Sequence, residues 1–305
     1  MDTVFYGLTI NGIQRIVFQY VDKNKIPHPF NVVSGLAGRD FVEGFLKRNP
    51  MLSLRKPQGV ALHRIYGLNR ESVSNYFTNL ENILDTYKFQ AHQIYNCDES
   101  GITAVHKPMK MIAPKGKHCV SSATSGEKEV TTTIVCCTSA TGNYVPPLAI
   151  FKRKRMKPEL IDHAPPGTIG GCSDNGWITS ELFLTYIKHF RVHLRCSKDQ
   201  KVLLILDSHV THTKNIETID YCRENGIVLL SLPPHTSHKL QPPDRSFFKP
   251  LKTAYHTECR RWMREHPGRR ITVDQIGVIF STAYCNTATT QNAVSNFKWN
   301  CTIKS

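Results

Sequence analysis

The run Val202-Leu203-Leu204-Ile205-Leu206 constrains the fold more than any other stretch. Five consecutive apolar residues between polar ones suit a strand buried on both faces. The run ends on Asp207, followed by Ser208, His209 and His212. A carboxylate there stands at the C-terminal rim of a parallel sheet, where open α/β folds place their ligands. The same Asp could simply cap a following helix. The run by itself leaves both readings open.

Its neighbours define a fold class. Up to about residue 90 the apolar spacing is helical. Thr9 can cap a helix carrying Ile13, Ile16, Val17, Tyr20 and Val21, and the prolines of "IPHPFN" end it. Phe41, Val42, Phe45 and Leu46 mark a short second helix closed by Pro50. Asn69 caps a longer one with Val73, Phe77, Leu80 and Leu84 on one face. Short helices around a Gly-containing turn, with basic residues after the second, are compatible with a helix-turn-helix and equally with any small bundle. From residue 92 the period changes. "HQIYNCDESG" reads as a short strand ending in the carboxylate pair Asp98 and Glu99, and "VTTTIVCCTSATGNYVPPLAIF" as a hairpin around Thr141-Gly142-Asn143. A helix capped near Thr179 or Ser180 follows, with Leu182, Phe183, Tyr186, Ile187, Phe190 and Leu194 inward. Then come the opening strand, a helix near 214–225, the run "IVLLSLPP" and a basic helical region from about Asp244 to His266. A hairpin feeding α/β crossovers implies a mixed sheet with helices packed on it. The last 35 residues carry little signal.

The chain has 39 Lys and Arg against 24 Asp and Glu, a formal charge of +15. That excess implies polyanionic partners, nucleic acid ahead of membrane, since no basic amphipathic helix of the membrane-surface kind and no long apolar span stands out. None of the ten cysteines forms a C-x-x-C pair, which reads as reduced thiols rather than a disulfide framework.

Asp98 and Asp207 each close a β run, and their strands can lie side by side. Two like charges held close repel unless a proton or cation lies between them. Asp244, behind Pro242 and Pro243, is a third candidate, although an Asp at a helix start is also favoured by the dipole alone. Three carboxylates suit Mg or Mn. Two such ions about 4 Å apart activate water and stabilise the leaving oxygen in phosphodiester cleavage. Lys152, Arg153, Lys154 and Arg155, with Lys157, Lys249, Lys252, Arg260, Arg261 and Arg264, could hold DNA. The "KRKR" run reads equally as a nuclear localisation patch or a solvated face. His209 with His212, and His235 with His238, raise zinc as a rival, although neither pair sits in an H-E-x-x-H frame. Asp207-Ser208-His209 is not a serine triad, because sequence neighbours diverge and no nucleophile-elbow glycines flank Ser208.

With these residues in order, the chain resembles a known family. "IYNCDESGI", "LLILDSHVTHT" and "LPPHTSHKLQPPDRSFFKPLK" resemble the three catalytic blocks of pogo/Tigger-type transposases of the DDE superfamily. "GLTINGIQRIVFQ", "HPFN", "AGRDFVEGFLKRNPMLSLR" and "GLNRESVSNYF" resemble the centromere-protein-B type helix-turn-helix that precedes that domain. The resemblance implies an RNase H-like mixed sheet flanked by helices, preceded by a small all-α helix-turn-helix DNA-binding region. It also implies metal-dependent DNA cut-and-paste chemistry in the nucleus. Asp98, Asp207 and Asp244 are then the catalytic and metal-holding triad for two divalent cations, Mg or Mn. The partner is double-stranded DNA, with no membrane and a homodimer left open. The expected DNA contacts are Arg39, Lys47, Arg48, Arg55 and Lys56, with Lys152, Arg153, Lys154 and Arg155. The expected division is a partial DNA-binding domain over 1–68, a helical linker over 69–91, the endonuclease domain over 92–270 and a segment of unclear role over 271–305. The family carries an earlier helix and a further helix-turn-helix ahead of this region, and a leucine where Pro243 stands. The alternative is a catalytically inactive, host-recruited or truncated DNA-binding protein of transposon origin.

Overall fold

The computed structural model describes residues 9–54, 69–104, 115, 131–208, 215–236, 240–241, 243 and 246–302, with the backbone alone at 296 and 298–302. Two compact units divide at residues 60 and 61.

In the first unit, helix α1 (Ile10–Lys23) starts where Thr9 Oγ1 accepts the Gly12 amide at 3.0 Å, and it stops ahead of Pro27 and Pro29. The cap satisfies one of the amides that a helix start leaves without a partner. Helix α2 (Arg39–Arg48) buries Val42. Gln14 ties the two together: its Nε2 donates to the Ala37 carbonyl at 2.9 Å, and the Ala37 amide donates to the Gln14 carbonyl.

The second unit is built on six strands, β1 (Ile94–Thr103), β2 (Thr131–Ser139), β3 (Tyr144–Lys152), β4 (Ile169–Ser173), β5 (Val202–Leu206) and β6 (Ile227–Ser231). They form one sheet in the order β4-β3-β2-β1-β5-β6. β1 with β2 and β2 with β3 are antiparallel, while the remaining pairs are parallel. The hairpin turns at Gly142, whose φ of +101° favours glycine. Val135 pairs Leu148 and Cys137 pairs Val145, so Pro146 and Pro147 face the single residue Cys136 in a bulge. A bulge is where a strand tolerates residues without an amide proton.

Strand β4 is absent from the sequence reading because Gly170-Gly171 erases its β signal. Neighbouring side chains occupy the space beside both glycines. A side chain at Gly170 would collide with Met156, and one at Gly171 would stand 2.6 Å from Leu182.

Helices α3 (Arg70–Tyr87), α4 (Ser180–Leu194), α5 (Ile216–Glu224), α6 (Phe248–Glu265), α7 (Ile276–Thr287) and α8 (Thr290–Thr302) complete the unit. One face of the sheet packs on α4, which buries Phe183, Leu184, Tyr186, Ile187 and Phe190 as its period requires. Each large apolar side chain so buried stabilises by about 1.5–3 kcal/mol. The other face is covered in two parts. Tyr76, Val73, Phe77, Leu80 and Leu84 of α3 cover Leu203 and Ile205, while α6 and α7 cover Ile134, Cys136, Ala149 and Phe151.

The apolar face of the helix within 69–91 is part of the sheet's core. In the segment from 271, Ile276, Ile279, Phe280 and Ala283 are buried against Phe247, Leu251 and Tyr255. The eight cysteines whose side chains are described are free thiols. No helix among the described residues is long and apolar enough to cross a membrane.

Candidate active site

The ladder between β1 and β5 pairs Asn96 with Ile205 and then ends, because β5 stops at Leu206 while β1 runs on beside β2 to Thr103. Continued by two residues past the end of the ladder, that register would set Asp207 beside Asp98. Side chains alternate along a strand, so Asp98 shares the face of Asn96, and Asp207 that of Ile205. That face is the one covered in two parts, and the two carboxylates lie at the seam between the α3 group and the α6–α7 group. The strand does not end at the expected Asp98–Glu99 pair. Alternation sends Glu99 to the opposite face, so only Asp98 joins Asp207.

Asp98 is 8% exposed, and its Oδ1 accepts the Glu99 amide at 2.8 Å. Its partner across β2 is Cys136. Burial, followed by the charge of Asp98, pushes the Cys136 thiol well up, so that it stays neutral. The hydrogen bond with Cys137, followed by burial, does the same for Cys97. Cys97 packs on the opposite face, and with the Cys136 thiol held neutral the donors on the face of Asp98 are oxygens, its own carboxylate and the Asn96 side chain among them. Two of them beside one another suit a hard divalent cation.

Asp207 is held from both sides. The Leu206 carbonyl accepts the Leu232 amide at 2.9 Å, and the Ser208 hydroxyl donates to the Leu232 carbonyl. Ser208 therefore fixes the chain after β5 to the chain after β6, a role that its place beside Asp207 does not announce.

A second clasp comes from Gln241. Ala140 takes the Ile94 carbonyl on the β2 side. By the two-residue alternation the Cys97 carbonyl then faces the side where β5 has run out. The fully buried Gln241 supplies the missing donor through Nε2 at 3.0 Å. The preceding Leu240 is buried against Leu203 and Ile205. Pro243 does not break the segment that follows, since its carbonyl accepts the Phe247 amide in a helical turn ahead of α6. Proline is tolerated in a first turn, where its missing proton has no intrahelical acceptor.

Asp244 lies outside the described residues, as do His209, His212 and His238. Among the described residues no three His, Cys, Asp or Glu form a metal-holding group. The structure thus places Asp98 on β1 and Asp207 directly after its neighbouring strand β5, and it holds Gln241 and Pro243 ahead of Asp244 and Phe247 after it.

Of the expected DNA contacts, Arg39 is exposed and ion-paired with Glu43 at 3.3 Å, and Lys47 and Arg48 are exposed in the last turn of α2. Lys152, Lys154 and Arg155 are exposed and Arg153 is half-buried, directly beyond β3. β3 and β1 run in the same direction, and Ile150 and Gly101 both pair Thr133, so this basic run emerges past the C-terminal half of β1, about five residues beyond Asp98. Arg55 and Lys56 lie outside the described residues.

Residues 128–301, more than half of the chain, match the family model described as DDE superfamily endonuclease. The match includes Asp207 and Asp244 and begins after Asp98, which joins the site through its strand register. A curated relative, the MFS-type transporter clz9 of Cochliobolus lunatus, is 28% identical over 219 residues, 70% of this chain and 23% of the relative. The chain therefore spans under a quarter of that relative's length. Two solved structures of the Mos1 mariner paired end complex are similar in fold. The one with Mg has a TM-score of 0.51 at 14% identity and covers 98% of this chain and 80% of its own. The one with Mn has a TM-score of 0.50 at 15% identity and covers 93% and 76%. The mixed sheet flanked by helices is the RNase H-like fold of these structures.

Proposed function

The chain belongs to the DDE superfamily endonucleases, and from that premise we propose that it is a transposase-derived protein of the pogo/Tigger kind that cuts and joins DNA in the nucleus. The observation that supports this reading is the pairing of β1 with β5, the strands that carry Asp98 and lead into Asp207. With Asp244 they would hold two divalent cations, Mg or Mn, which supply water activation and stabilisation of the leaving oxygen in phosphodiester cleavage.

The chain's own contribution is positioning and charge. Gln241 and Ser208 fix the backbone beside each described carboxylate. Lys152, Arg153, Lys154 and Arg155 neutralise phosphates of a duplex crossing the same end of the sheet, a contact weakened by salt as counterions return. In the first unit, Arg39, Lys47 and Arg48, with Arg55 and Lys56, belong to a centromere-protein-B type reading head over residues 1–68. The +15 charge supports both contacts.

The test is cleavage of plasmid DNA carrying candidate element ends in Mg or Mn, comparing the parent chain with Asp98→Asn and Asp207→Asn. The expected result is cleavage by the parent alone, with equal DNA binding by all three in EDTA. Equal cleavage by the variants would overturn the site. Binding without cleavage by the parent would favour the non-catalytic DNA-binding protein.

A further inference from the structure

A tight turn over residues 173–177 presents the indole of Trp177 to solvent, 58% exposed, between buried Gly176 and buried Ile178. The turn is rigidly held. The Trp177 amide donates to Asn175 Oδ1 at 2.9 Å, and the Trp177 carbonyl accepts the Ser173 hydroxyl at 2.7 Å. The Gly176 carbonyl accepts the Thr133 hydroxyl at 2.7 Å inside the sheet. Gly176 has a φ of +80°, and a side chain there would stand 3.2 Å from both Lys152 Cβ and the Thr131 carbonyl. The Arg153 amide also donates to the Ser173 carbonyl. The turn is therefore fastened against the start of the basic run 152–155, whose four cations outweigh Asp174, the single acid of the turn.

The sheet supplies a ruler. Asp98 pairs Cys136, and Thr103 pairs Thr131, so the turn at Thr131 lies five residues along from Asp98. At about 3.3 Å per residue that is roughly 17 Å. That is the length of a few nucleotides, so one unpaired strand can pass both the carboxylates and the indole. An aromatic face held rigidly beside cations matches the chemistry of an unpaired nucleotide, with the base stacking on the ring and the phosphates on the charges.

We propose that the 173–177 turn and the basic run 152–155 form a subsite for an unpaired DNA strand, in which Trp177 stacks on a base a few nucleotides from the carboxylate site. The proposal rests on DNA as the partner, as argued above, and does not require cleavage.

The experiment uses the full chain in EDTA with a forked DNA carrying 2-aminopurine in its unpaired strand. The parent is compared with Trp177→Ala, Trp177→Phe and the pair Lys154→Gln with Arg155→Gln. Trp177→Ala is expected to weaken binding of the unpaired strand about tenfold and abolish the stacking quench, while leaving the salt dependence and the thermal unfolding unchanged. Trp177→Phe should keep most of both. The double Gln variant should lower the salt slope by about 1.4 and retain the quench. Parent-like affinity and quench in Trp177→Ala would overturn the subsite, as would a quench confined to paired DNA. Stacking by a parent that does not cleave would remove the endonuclease reading and leave the subsite standing. Cleavage without any quench would do the reverse.

Discussion

Helices α1 and α7 are both rich in apolar residues, yet they are held by different means. In α7, Ile276, Ile279, Phe280, Ala283 and Tyr284 are buried, locked between α6 and the sheet. In α1 no residue is fully buried. Ile10, Ile13, Ile16 and Val17 instead line an apolar groove of about 400 Å³ with Val42, Phe45 and Leu46. The first unit is fastened by polar devices, the Thr9 cap and the Gln14–Ala37 pair, and by ring contacts running from Phe18 through His28 and Phe30 to Phe41, whereas the second is fastened by a large buried core. An isolated helix of this length is marginal in water, so the first unit should open locally at lower cost. A site that must hold two carboxylates in register belongs on the packed unit.

The largest effect tests this contrast directly. Phe190, fully buried and edge-on to Tyr95 at 5.4 Å, should cost about 3–5 kcal/mol when truncated to Ala. Ile16, 47% exposed on α1, should cost under about 1 kcal/mol. Denaturant unfolding of the full chain reads both, and equal losses would break the distinction.

Next in size is Gln241→Leu. It leaves the buried Cys97 carbonyl without its donor, at a cost of about 1–3 kcal/mol. Because the clasp lies beside Asp98, cleavage should fall further than stability, while DNA binding in EDTA is kept. A variant that loses stability and keeps its cleavage rate would reduce Gln241 to a plain core residue.

These two residues also mark how far the sequence is legible. Phe190 lies on a helix whose cap at Thr179 and inward face can be read from period and capping alone. The hairpin, the α3 cap at Asn69 and the buried strand ahead of Asp207 are legible for the same reason, since each is a local pattern. Gln241 is invisible because its partner is 144 positions away and its role depends on where β5 happens to stop. Strand β4 is hidden by glycines that serve neighbours, Met156 and Leu182, rather than the strand itself. Helix α7 is apolar nearly all round, so no face stands out to assign it. The pairing of β1 with β5 lies between these cases, because strand order makes it allowable and only the ladder fixes its register.

A matched pair gives a smaller effect. Thr9 and Thr179 make the same cap, accepting from Gly12 at 3.0 Å and from Leu182 at 3.3 Å. Replacing either by Ala should cost about 1 kcal/mol. The consequences should differ by unit. Hydrogen exchange in Thr9→Ala should quicken mainly in α1, which has no fully buried residue. In Thr179→Ala the loss should spread across the sheet unit, whose helices share one core. Local quickening in both would mean that α4 is less tightly coupled to the sheet than its buried face implies.

The smallest effect is one of pH, and it too separates the units. All ten cysteines lie beyond residue 96, so the first unit has none. In the second, burial pushes the Cys222 thiol up to about 12 and the Cys259 thiol up to about 11. Unfolding returns each to an ordinary value near 8.5, so above that pH the unfolded chain sheds protons that the folded chain keeps. Stability is then full below about pH 8 and falls as the pH rises toward the folded values. Between pH 8 and 9 the loss should be roughly half a kcal/mol per thiol. Hydrogen exchange corrected for intrinsic rates should register it in the sheet amides and leave those of α1 unchanged. An equal alkaline loss in α1 would mean that the two units unfold as one.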